Sequence, residues 1–259
     1  IAILPRLKEG VLVHIHDIFL PFDYKPNWFS KNKVYTEQWL VALMLYGNKD
    51  WEVVWSSFLM VRNYTSVLLE MPNYPFYAGQ ATPNGGSLWI RKVGHSQQSI
   101  KEKSEMEVTE KEVLNSRQSA GYNDLYERSR KLFSYESPLP KWPPPLSYSR
   151  KFAKLPALFE FSVSEQILLW RQFSSKHFVS PAEFDLLRDH ASMFPDLDRV
   201  TLFCMIREFK PSKVIEIGSG ESTYVARAAL KLNHGTYEHI VIEPYRASAV
   251  PPEITIIET

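Results

Sequence analysis

The sequence predicts an α/β fold, a mostly parallel sheet with helices on both faces, and three stretches carry that expectation. Val214-Ile215-Glu216-Ile217 is a short apolar run that enters a glycine turn, Gly218-Ser219-Gly220, and then a helical stretch from about Thr223 to Leu232. His239-Ile240-Val241-Ile242-Glu243 follows as a second strand ending in a carboxylate. Val11-Leu12-Val13-His14-Ile15-His16-Asp17 is a third, with polar groups at its C-terminal end. Open α/β sheets hold their ligands at that end of the strands.

Each part of the first stretch has a physical reason. Val214, Ile215 and Ile217 suit a parallel strand buried on both faces. Gly218 and Gly220 permit a tight turn and let a ligand approach the backbone with no Cβ in the way. A glycine turn after one strand and an acid at the tip of the next is how a doubly wound sheet holds a nucleoside, the acid bonding ribose hydroxyls. A dinucleotide and S-adenosylmethionine both fit that description. The dinucleotide fingerprint asks for Gly or Ala where this chain has Thr223.

Glu216, two residues before the first glycine, resembles the first motif of the class I S-adenosylmethionine-dependent methyltransferases. The resemblance implies that Glu216 lies near the positively charged end of the cofactor. It further implies that Gly218, Ser219 and Gly220 bring backbone to the cofactor and that Glu243 holds its ribose. The plain alternative for Glu216 is an acid that caps neighbouring backbone N–H groups.

In chain order, Ile1 to Leu7 reads as the end of a helix and Lys8-Glu9-Gly10 as a turn. After the strand at 11–17 comes a loop of aromatics and prolines (Phe19, Pro21, Phe22, Tyr24, Pro26, Trp28). It suits either a lid or pocket wall, or a loop pinned to the core. A helix is expected from an N-cap at Thr36 through Trp39, Leu40, Leu43, Met44 and Leu45, stopped by Gly47-Asn48. Trp51 to Val61 and Ser87 to Val93 read as strands of β-branched and aromatic residues. From Gly94 to about Asn123 the chain is polar with mixed charge, and Pro143-Pro144-Pro145 forces an extended segment beside Trp142. Helical spacing returns at Ile167, Leu168, Trp170 and Phe173. Further helices are expected after Pro181 and from Asp198 to Phe209, and a last strand at Ile254 to Ile257.

A second resemblance covers the first block. Leu4-Pro5-Arg6-Leu7-Lys8-Glu9-Gly10 running through Val11–Asp17 to Ile18-Phe19 is similar to the fifth-strand region of a bacterial class I methyltransferase family. Tyr35-Thr36-Glu37-Gln38 and Gly85-Gly86-Ser87-Leu88-Trp89-Ile90-Arg91-Lys92 resemble its later helix and last strand. The family's later half thus precedes its earlier half. The implied fold is a Rossmann-like class I methyltransferase sheet, incomplete because the fourth-strand region is absent. The expected organisation is the C-terminal half of one domain at 1–93, a polar and Pro-rich linker at 94–150, and the cofactor-binding half of another at 151–259. Both ends are expected to be cut from a longer chain.

Composition bounds the function. With 259 residues, 44% of them hydrophobic, the chain has enough to build a core. A formal net charge of +1, scattered along the chain, gives no electrostatic case for nucleic acid. The single cysteine, Cys204, excludes an internal disulfide framework and points to a reducing, cytoplasmic setting. No apolar run has the length of a membrane span.

The expected activity is S-adenosylmethionine-dependent methylation of a small-molecule or sugar hydroxyl. Such a reaction needs alignment of acceptor and methyl group and removal of the acceptor's proton. His16 and Asp17 at the strand tip are the candidates for that work. One reading makes His16 a general base. The other makes Asp17 and His16 ligands of a divalent cation such as Mg2+, as the resemblance to metal-dependent O-methyltransferases implies. His14 is expected to be a buried histidine bonded to backbone, and His177, His190, His234 and His239 to be surface or core residues. Two alternatives stand: an NAD(P)-dependent oxidoreductase, and a non-catalytic methyltransferase-like module that keeps the fold for partner binding.

Overall fold

The structure is a computed structural model that describes residues 3–24, 37–46, 48–71, 83–94, 160–177, 194–243 and 254–257. The expected N-cap at Thr36, the stop at Gly47, the linker beyond Gly94 and the helix after Pro181 lie outside the described residues. The fold is mixed α/β, with six helices and two three-stranded sheets among those residues. The chain divides into two compact units: Ile1–Tyr64 with Gly86–Gln166, and Thr65–Gly85 with Ile167–Thr259. No helix among the described residues is long and apolar enough to cross a membrane.

The first unit is built on strands β1 (Leu12–Ile15), β2 (Trp51–Ser56) and β3 (Leu88–Lys92). Strand β3 lies in the middle and runs antiparallel to both neighbours, with Val13 and Val53 each paired to Ile90. Hence β1 and β2 point the same way. A short 3-10 turn at Leu4–Arg6 precedes β1, and helix α1 spans Glu37–Leu45. Leu88 and Ile90 of β3, Trp51 and Val53 of β2, and Val41 and Leu45 of α1 share one buried cluster.

One expectation changes here, and one pair of alternatives is narrowed. Trp51 to Val61 is not one strand: β2 ends at Ser56, and helix α2 (Ser57–Asn63) begins at once. The switch is made by Ser56, whose hydroxyl accepts from the Leu59 N–H at 3.3 Å and so satisfies an orphan donor of the new helix. The aromatic loop is pinned rather than lid-like over its described part. Ile18, Phe19, Leu20 and Tyr24 are all buried. Gln38 of α1 accepts from the Phe19 N–H at 2.7 Å and donates to the Phe22 carbonyl at 3.0 Å. A Cβ at Gly86 would come within 2.8 Å of the Phe19 ring, so glycine is required where that ring lies against the backbone.

The second unit contains helix α3 (Thr65–Leu68), most of α4 (Val163–Lys176), α5 (Asp196–Phe209), β4 (Lys213–Ile217), α6 (Glu221–Leu232), β5 (Glu238–Ile242) and β6 (Thr255–Ile257). Its strands lie in the order β4-β5-β6 and all run parallel. Helix α5 is almost wholly buried, with Val200, Phe203, Cys204 and Met205 inside. It joins α6 through Arg207, which donates to Asn233 Oδ1 at 2.8 Å, and through Asn233 Nδ2, which donates to the Ile206 carbonyl at 3.0 Å. Helix α4 is fixed by Trp170, whose indole N–H donates to the Leu68 carbonyl at 3.3 Å, and by His177, 2.6 Å from Glu208.

Strand β4 is not buried on both faces as its apolar run suggested. Side chains alternate along a strand, so Val214 and Glu216 share one face and Ile215 and Ile217 the other. His239 and Val241 are buried on the first face, whereas Ile215 is 58% and Ile217 79% exposed.

Candidate functional site

The glycine turn is held by its own side chains. Gly218 has a φ of 84°, the left-handed region that favours glycine, and its N–H donates to the Ile242 carbonyl at 2.9 Å. That bond ties the turn to the end of β5. Glu243, buried at the tip of β5, reaches back: its Oε2 accepts from the Ser219 N–H at 2.6 Å and from the Ser219 hydroxyl at 2.7 Å. The Gly220 N–H donates to Thr223 Oγ1 at 3.1 Å. A Cβ added at Gly218 or Gly220 would meet nothing within 4 Å, so open space lies over both glycines.

Glu216 sits beneath this turn on β4. Its Oε1 accepts from the Ser222 hydroxyl at 3.0 Å, and its Oε2 is 2.7 Å from His239 Nε2. Three carboxylates therefore flank the start of α6: Glu216, Glu243 and Glu221, the last paired with the buried Arg199 guanidinium. Ser222, Thr223 and His239 are participants that sequence reasoning did not single out. Thr223 marked only a departure from the dinucleotide fingerprint, and its hydroxyl proves to cap the turn. His239 was legible only through strand register. In the parallel pair it faces Val214 across the ladder, which makes it the diagonal neighbour of Glu216 on the same face.

In the first unit His16 and Asp17 lie just beyond β1 and touch each other, Nδ1 to Oδ2 at 3.3 Å, both about half exposed. Asp17 has a φ of 59°, a left-handed conformation uncommon outside glycine, asparagine and aspartate. His14 is bonded to a side chain: its Nε2 is 2.8 Å from Ser87 Oγ, and its ring stacks on Trp89 at a centroid distance of 4.7 Å. Burial, with the neighbouring His16 adding to it, pushes the His14 imidazole down to about 3. His14 is therefore neutral near pH 7 and a poor proton acceptor. The His16–Asp17 pair and the glycine turn belong to different units.

The two groups differ in what they fit. No three His, Cys, Asp or Glu side chains converge to hold a metal among the described residues. One imidazole and one carboxylate do not by themselves make a magnesium site, since magnesium takes six ligands that are mostly oxygens. The glycine turn has open space over its backbone and acids at its margin. No protein-family model matches this chain, and neither a curated protein nor a solved structure matches it.

Proposed function

We propose that the second unit binds S-adenosylmethionine and that the chain serves in methyl transfer to a small-molecule or sugar hydroxyl. The supporting observation is how the turn's donors are used. The Ser219 N–H is taken by the Glu243 carboxylate and the Gly220 N–H by the Thr223 hydroxyl. A dinucleotide needs such N–H groups for its pyrophosphate at a helix N-terminus. Here they are spent internally, and Glu216 and Glu243 would repel a pyrophosphate. The same acids attract a sulfonium and an ammonium group. Strand order supports the reading too. Neighbouring parallel strands β6-β5-β4 match the start of a doubly wound sheet, and a strand such as β3, antiparallel to its neighbours, is common in the mixed sheets of that class.

When bound, the cofactor supplies an electrophilic methyl group. The chain's own contribution is orientation: Gly218 and Gly220 leave the backbone open to close approach, and Glu243 holds the turn while accepting bonds at the ribose side. In the first unit, His16 has Asp17 beside it at 3.3 Å, a pair able to take a proton and to stabilise the imidazolium that forms. Calorimetry of the 259-residue chain with S-adenosylhomocysteine and with NADH tests the cofactor assignment. Binding of the first and not the second is expected; the opposite result would replace it with an oxidoreductase.

A second reading is a methyltransferase-like module that binds without catalysing. It is favoured by the sparse donor set at His16–Asp17, which lacks a third His, Cys, Asp or Glu among the described residues. A methyl-transfer assay on the intact gene product separates the two. Activity that disappears in Asp17→Ala, with the cofactor still bound, supports the catalytic reading.

A further inference from the structure

We infer that His239 is a positioning residue that fixes the direction of Glu216 toward the cationic amino-acid end of the bound cofactor. The inference rests on the cofactor assignment proposed above. Its basis is a buried contact between two neighbouring strands. His239 is 5% exposed, on the covered face of β5, and its Nε2 meets Glu216 Oε2 at 2.7 Å. A carboxylate accepts hydrogen bonds and does not donate them, so the proton of that contact sits on Nε2. The other ring nitrogen, Nδ1, is buried and has no hydrogen-bond partner among the described residues. Burying an imidazole with one nitrogen unsatisfied is costly. An apolar residue would fill the same face of a parallel strand without that cost. What the histidine adds is a single directed donor to Glu216.

The second carboxylate oxygen is held from the opposite side. The Ser222 hydroxyl, in the first turn of α6, donates to Oε1 at 3.0 Å. Glu216 is thus clamped between β5 and α6, beside the turn at Gly218 to Gly220. A carboxylate held at both oxygens keeps one rotamer and one charge distribution, so a positively charged ligand group meets it without reorganisation. With His239 removed, Oε2 loses its donor, and the side chain is free to swing about its remaining bond to Ser222.

The test is ligand discrimination by the full chain. Calorimetry compares S-adenosylhomocysteine, which carries the amino-acid end, with 5′-methylthioadenosine, which lacks it. His239→Phe is expected to weaken S-adenosylhomocysteine binding by roughly tenfold or more, the scale of a hydrogen bond to a charged group, and to leave 5′-methylthioadenosine unchanged. His239→Gln, which restores an N–H donor, is expected to recover most of the loss. Circular dichroism checks that each variant is folded. Equal binding of S-adenosylhomocysteine by wild type and His239→Phe would overturn the inference while leaving the cofactor assignment intact. A parallel loss of both ligands, or a variant that does not fold alongside a Gln variant that loses both ligands, would reduce His239 to a structural role and overturn it too. Failure of wild type to bind either nucleoside would remove the cofactor assignment and the inference with it.

Discussion

Glu243 and Ser219 are 24 residues apart in sequence and meet through one oxygen, Glu243 Oε2, which accepts both the backbone N–H and the hydroxyl of Ser219. The contact joins the tip of β5 to the turn after β4, beside the bonds from Gly218 to Ile242 and from Gly220 to Thr223. Glu243→Ala leaves the Ser219 N–H without its acceptor. We expect a loss of about 1–3 kcal/mol in stability and at least a tenfold loss of S-adenosylhomocysteine affinity. Urea denaturation and calorimetry measure the two; unchanged affinity would show that Glu243 serves the turn alone.

Gly218 and Gly220 are separable by conformation. Gly218 sits at a φ of 84°, so Gly218→Ala is strained despite the open space around it and is expected to cost about 1–2 kcal/mol. Gly220 has a φ of −178°, extended backbone that any residue adopts, and its added Cβ would also meet nothing within 4 Å. Gly220→Ala should therefore leave the melting temperature nearly unchanged while lowering affinity for the cofactor proposed above, whose place the new methyl would enter. A variant that melts early and binds normally would contradict this.

His14 sets an acid limit on stability. Its imidazole titrates near 3 in the folded protein against 6.5 when free, so between those values the unfolded chain binds the extra proton. The contribution is complete above about pH 6.5 and falls as pH drops toward 3, by an amount on the order of a few kcal/mol. Urea titrations at several pH values in that window should show the slope, and His14→Gln should flatten it. A slope that persists in the variant would assign it to other groups.

Glu208 responds in a lower window. Burial alone would raise its carboxyl, but hydrogen bonds from His177 at 2.6 Å and Lys176 at 3.3 Å outweigh that and hold it below the usual 4.5. A depressed acid contributes stability above its free value and loses it as pH falls through the folded one. Glu208→Gln is expected to cost about 1–2 kcal/mol at neutral pH and progressively less below pH 4.5. Equal destabilisation at every pH would mean that packing, not charge, is what the glutamate supplies.

The elements that sequence made legible are those fixed by short-range patterns. The strand, glycine turn and helix from Lys213 to Leu232 are written in adjacent residues, and the structure has them within a residue or two. Boundaries set by one side chain were harder. Trp51 to Val61 is uniformly strand-like in composition, and only the Ser56 hydroxyl turns its second half into helix. An apolar residue states a preference and not which face will be covered, so the exposure of Ile215 and Ile217 is not written in their run. His239 and Glu216 are 23 residues apart, and their contact exists only in one parallel register. Sequence spacing alone does not carry that information.

The pinned loop after β1 has a thermodynamic consequence. The Ile18 N–H donates to the Gly86 carbonyl at 2.8 Å, and the Ser56 hydroxyl donates to the Leu20 carbonyl at 2.7 Å, so the chain carrying His16 and Asp17 is already ordered. Little conformational entropy would remain to be lost there on binding of the acceptor proposed above. A ligand at that strand tip would meet a fixed mould rather than a closing hand.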